Sequence, residues 1–161
     1  MNRRRALAAF SLLLVVRGRA KQAASNPKPP KKDLPYLLQA EKLIPTEAST
    51  AKLAGSEKER ILSVPGVTSS ARTPLPEPIF LLVSEDIRPD QLQLCRFEVK
   101  EGHREASGGK RSGTDEDQDL RLTIRRLAPD LSRIEAAEIL EPGEYCLWHR
   151  GSQSVFCFTV F

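Results

Sequence analysis

The side chains best suited to chemistry lie near the C-terminus: Cys146, Trp148, His149 and Cys157, with Cys95 as a third thiol. Cys146-x-x-His149 together with Cys157 offers metal-type ligands on one predicted hairpin, and a zinc site needs such ligands to converge. Successive side chains of a strand face opposite ways, so Cys146 and Trp148 share a face while His149 turns from it. No metal site is therefore expected, and no cofactor is implied. The same facing denies a cysteine nucleophile its nearby base. A four-residue loop at 150–153 sets 149 opposite 154, and hence 146 opposite 157. Cys146 and Cys157 are thus the candidate disulfide, the competing reading being three small buried thiols. Trp148 and His149 form the candidate binding surface, against a reading of Trp148 as core packing.

Two further constellations fail on spacing. Ser107-Gly-Gly-Lys110 has the spacing of a serine activated by a lysine, but two glycines fill the turn that would have to be helical. Asp115, Asp117 and Asp119 alternate like the start of a calcium loop, yet Leu120 stands where the turn glycine belongs and Arg126 where the bidentate glutamate would be. With two histidines in the chain and no G-x-S-x-G or H-E-x-x-H motif, no catalytic residues are assigned. The expectation is a non-catalytic binding or structural protein. The alternative is a small periplasmic hydrolase using carboxylates or serines around 101–118.

The elements that position these residues have strand punctuation. Short apolar runs alternate with Pro and Gly turns from residue 61 onward. Cys95, Phe97 and Val99 alternate with Arg96, Glu98 and Lys100, and Leu120, Leu122 and Ile124 alternate with Arg121, Thr123 and Arg125, as in strands covered on one side. In the last hairpin, Phe156, Phe158 and Val160 line up with Tyr145 and Leu147, while Val155 and Cys157 join Trp148. Both faces are apolar, the mark of a central strand, with Glu144 near the rim. Residues 36–44 lean towards strand, 46–60 suggest a short surface helix from about Ser49, and 101–118 read as a long mobile loop. The fold class expected is all-β, an immunoglobulin-like β-sandwich of about seven strands over 36–161, with a small barrel as second choice.

Ahead of this domain, Arg3, Arg4 and Arg5 precede an apolar run over 6–16. At about 1.5 Å per residue that run is too short to cross a hydrocarbon core of about 30 Å. It reads as a signal peptide over 1–20, cleaved after Ala20, followed by a Pro- and Lys-rich tether over 21–35, both expected to be disordered. Only an uncleaved signal would keep the chain at a membrane. Five of the 25 basic residues lie in the signal and none of the 21 acidic ones do, so the mature chain carries 20 bases against 21 acids. The apparent basicity disappears, and a nucleic-acid partner is not expected.

The segments Val64-Pro65-Gly66, Pro78-Ile-Phe-Leu, Leu92-Gln-Leu-Cys-Arg-Phe-Glu-Val99, Leu140-Glu-Pro-Gly-Glu-Tyr145 and Val155-Phe-Cys-Phe158 together resemble a loose group of small exported bacterial proteins of unknown function. The resemblance spans 36–161, and its Pro-Gly-Glu-Tyr turn also recurs in carboxypeptidase-regulatory-like and carbohydrate-binding secreted modules. It implies a β fold and export to the periplasm or beyond; export, the β punctuation and the lack of a catalytic constellation together lead to an envelope protein or a glycan as the expected partner. The resemblance assigns no functional residue.

Overall fold

The alternation read in the sequence is realised as antiparallel strands, seen in a computed structural model that describes residues 26–56, 60–108 and 120–161. In chain order the strands are β1 (Tyr36–Gln39), β2 (Lys42–Pro45), β3 (Glu47–Thr50), β4 (Lys52–Gly55), β5 (Arg60–Pro65), β6 (Arg72–Thr73), β7 (Ile79–Val83), β8 (Leu92–Arg96), β9 (Glu98–Lys100), β10 (His103–Gly108), β11 (Leu122–Arg126), β12 (Leu131–Ala136), β13 (Gly143–His149) and β14 (Ser154–Val160). Among the described residues the single helical piece is a 3-10 turn, Pro89–Gln91. The all-β class is as expected. The signal over 1–20 lies outside the described residues.

Three sheets form, in the orders β11-β12-β7-β1-β2 (sheet A), β3-β14-β13-β8 (sheet B) and β4-β5-β10-β9 (sheet C), with β6 added in parallel to β14. Sheet B is the middle layer, which explains why both faces of its hairpin are apolar. Tyr145, Leu147, Phe156 and Phe158 meet Leu37, Phe80, Leu82 and Ile134 of sheet A. Phe158 makes an edge contact with Phe80 at 5.0 Å between centroids and stacks on Tyr145 at 5.7 Å. On the other side Cys146, Trp148, Val155 and Cys157 meet Leu62, Val64 and Ala106 of sheet C.

Sheets B and C are joined through two corners. Strand β3 runs into β4 through Ala51 alone, and β8 into β9 through Phe97 alone. Each corner residue keeps its backbone donor satisfied: Ala51 N–H donates to Gln153 O and Phe97 N–H to Glu144 O, both at 2.8 Å. Strands that switch sheets in this way make the corners of orthogonal packings. They turn the two sheets into a closed antiparallel circuit, β3/β4-β5-β10-β9/β8-β13-β14 and back to β3, a six-stranded barrel flanked by sheet A. The sandwich-like packing expected of the all-β class is present as sheet A on sheet B, and the small barrel closes beside it.

Three readings are corrected. The helix expected near Ser49 is replaced by β3 and β4, because Glu47, Ala51 and Leu53 alternate toward the barrel interior, and tertiary pairing overrides the weak helical preference of Ala, Glu and Lys. The loop expected over 101–118 is corrected over its first part, since His103–Gly108 is strand β10, and 109–118 lie outside the described residues. The inward residues of β10 are Arg104, Ala106 and Gly108, so the alternation carried almost no apolar signal. The tether expected over 21–35 is fastened at its end: Lys32 bridges Val83, and the Asp33 carboxylate accepts the N–H groups of Glu85, Asp86 and Ile87 at 2.8–3.1 Å. Asp33 has φ 54°, a region its short polar side chain tolerates.

Candidate functional site

The barrel interior gathers the reactive side chains. Cys146 stands opposite Cys157 on β14, as the hairpin register predicted, and opposite Cys95 on β8 as well. Three thiols therefore form one row across three adjacent strands, all of them buried and free. Burial pushes the Cys146 thiol well up, reinforced by its hydrogen bond with Cys95. Burial likewise pushes Cys157 up to about 12 against the opposing pull of Arg104. Neither supplies a thiolate near neutral pH, so Cys146 and Cys157 are no nucleophiles in the folded state.

Trp148 is not an exposed platform. It is 5% exposed and fills the barrel beside Cys146, its Nε1–H donating to Ser152 O at 2.9 Å. Its ring lies where a Cβ on Gly108 would sit, 2.8 Å away, so glycine at 108 is required by the indole. This pairing of a large side chain with a missing one is how small barrels fill their interiors. His149 turns to the other face, as expected, with Nε2 3.0 Å from Gln91 Oε1. The proposed surface of Trp148 and His149 is thereby dismantled: the indole is core, and the imidazole is half-buried against Gln91. Ser107 is exposed on β10, while Lys110, Asp115, Asp117 and Asp119 lie outside the described residues.

One end of the barrel holds a charged cluster that the sequence reading missed. Arg104 has a side chain 1% exposed, and its Nη2 donates to Glu47 Oε1 at 2.7 Å. Its Nε donates to Gly66 O at 3.1 Å, and Nη1 stands 3.5 Å from Glu144 Oε2. Glu144 accepts the hydroxyls of Thr68 and Thr159, each at 2.8 Å, and the Ser69 N–H at 2.9 Å. Glu47 accepts the Ser70 N–H at 3.0 Å. The two carboxylates hold the backbone of the 66–71 connection, and Arg104 balances part of their charge. Burial would raise the Glu47 carboxyl, but hydrogen bonds from Arg104 and the Ser70 N–H outweigh it and leave it below the usual carboxylate range. Pro65-Gly66 was legible as a turn; nothing in the sequence marks Arg104 as internal except its spacing from Ala106 and Gly108.

The second polar region is the outer edge of sheet A. Strand β11 ends the sheet order, and among the described residues no strand pairs with its far side. Ala137 N–H donates to Arg121 O and Leu127 N–H to Leu131 O, so the odd-numbered residues turn their backbone groups to β12. Leu122, Ile124 and Arg126 turn theirs outward, as alternation in an antiparallel ladder requires. Ile124 is 39% exposed. Arg125 lies directly opposite Arg133, a like-charge placement that is destabilising on a sheet. Arg121 and Arg133 pair with Glu138 and Glu135; among the described residues Arg125 and Arg126 have no carboxylate partner.

The class of protein so defined is an all-β barrel with a flanking open sheet. Comparison with known protein families, curated proteins and solved structures gives no match. No group of His, Cys, Asp or Glu among the described residues is arranged to hold a metal ion.

Proposed function

We propose that this chain is an exported, non-catalytic protein of the bacterial envelope that binds a protein segment by adding it as a strand to β11. The signal-like N-terminus supports export. The observation that carries the binding reading is the β11 edge, where outward backbone groups at Leu122, Ile124 and Arg126 adjoin the opposed Arg125–Arg133 pair. Backbone hydrogen bonds to a sheet edge provide affinity, and alternate side chains provide selectivity. An added strand would bring one set of side chains beside Ile124 and the other beside Arg125. The matching segment alternates apolar and acidic residues. Charged edge residues also guard a sheet against self-pairing. Here both roles agree, because a second copy would bring arginines together while an acidic segment relieves the Arg125–Arg133 repulsion.

The test titrates peptides alternating Glu with Val, and isomers with the same residues in two blocks, onto isotopically labelled protein. The expected result is amide shifts at Leu122, Ile124 and Arg126 for the alternating peptide, lost in Arg125→Glu. Silence at β11 with every peptide overturns the edge reading, and shifts elsewhere with oligosaccharides move the partner to a glycan. Turnover on an esterase, peptidase or glycosidase panel, abolished by one carboxylate or serine substitution, would replace binding by hydrolysis.

A further inference from the structure

The cysteine row has a property that no single pair of cysteines has. The Phe97 N–H to Glu144 O bond shows that Glu144, and with it Cys146 two residues on, turns its backbone groups toward β8. Cys146 and Cys95 are therefore a hydrogen-bonded pair, with Cα atoms about 5.5 Å apart, while Cys146 and Cys157 are a non-hydrogen-bonded pair at about 4.5 Å with side chains closer. Both separations fall inside the span a disulfide bridges, about 4.4–6.8 Å between Cα atoms. Cys95 and Cys157 are separated by β13, at about twice the strand spacing of 4.7–4.9 Å, and cannot be bridged.

We propose that Cys146 is the pivot of a three-sulfur disulfide site, bonded by preference to Cys157 and able to exchange that bond for one to Cys95. The bond forms on the open chain, where the thiols are accessible, by exchange with a low-molecular-weight disulfide. Cys146 and Cys157 each lose a proton and together two electrons, one S–S bond forms, and the external disulfide is cleaved to two thiols. Migration uses no further oxidant. The Cys95 thiol loses its proton and attacks the Cys146 sulfur, the Cys146–Cys157 bond breaks, and Cys157 leaves as thiolate and takes up a proton. Exchange requires the attacking, central and leaving sulfurs to lie in sequence, and the row across β8, β13 and β14 sets them in that order. This inference rests on the register alone and is independent of the β11 reading.

The full chain is refolded from denaturant with glutathione disulfide, quenched in acid, and weighed before and after alkylation in denaturant. Wild type is expected to lose about 2 Da, the mass of one bond's two hydrogens, and to take one alkyl group, chiefly on Cys95. Cys95→Ala and Cys157→Ala are each expected to lose the same mass and take none. Cys146→Ala is expected to lose nothing and take two, and Cys146→Val, which restores side-chain bulk, repeats that arm. Mass loss in either Cys146 variant, or its absence in wild type, Cys95→Ala or Cys157→Ala, overturns the pivot.

Discussion

Arg104 and Arg125 show what a strand position does to one side-chain type. Arg104 points into a closed barrel, is 1% exposed, and is held by Glu47 and by two backbone carbonyls. Arg125 stands on the outer face of an edge strand opposite a second arginine. The barrel circuit leaves no strand edge, so its charges serve the barrel itself. Sheet A keeps an edge, and its charge is available to something else. Internal charge here is architecture, and edge charge is the candidate for recognition.

The largest effect should come from breaking the internal side. Arg104→Ala strands Glu47 and Glu144 without their counter-ion, and breaking a buried pair in this way costs about 3–5 kcal/mol. A fall in the denaturant midpoint at unchanged slope would measure it. Gly108→Ala forces a methyl into the Trp148 ring, and overpacking of this kind costs about 1–3 kcal/mol. Trp148 fluorescence would shift in the same variant.

Acid should separate the two regions more gently. The Glu47 carboxyl is held below its ordinary value in the folded state, so its contribution is present above the unfolded value of about 4.3 and is lost as pH falls through the folded one. Stability measured from pH 6 down to about 3 should therefore decline less steeply in Glu47→Gln than in wild type. An equal decline would remove Glu47 from the barrel's acid sensitivity. The smallest stability effect belongs to Arg125→Glu, within about 0.5 kcal/mol because the site is exposed. That variant should nevertheless lose the alternating acidic peptide. A large stability loss there would make Arg125 structural and erase the contrast with Arg104.

The C-terminal hairpin was legible because its apolar residues show their spacing directly: the two faces built on Phe158 and on Trp148 were both readable, and so was the Cys146–Cys157 register. Strand β10 was illegible for the opposite reason. Its interior positions are an arginine, an alanine and a glycine, chosen by partners that lie far along the chain, Glu47 for Arg104 and Trp148 for Gly108. The corners at Ala51 and Phe97 were hidden too, since both residues keep the inward alternation of the strands they join and leave no break in it. The cover read through Val99 ends at Phe97, and Val99 is 53% exposed on β9. Leucine-rich positions announce which side is covered; small and charged interior positions need the partner strand to be understood.

The seam between β14 and β3 carries a consequence for how the chain reaches its folded form. It pairs Cys157 with Glu47, about 110 positions apart, and without it the ring does not close. Pairings of such long range form late, because the loop must be closed before the contact contributes. A growing chain that has not yet made its last hairpin can form local ribbons but has no enclosed core. The barrel locks only when β14 of that hairpin pairs with β3.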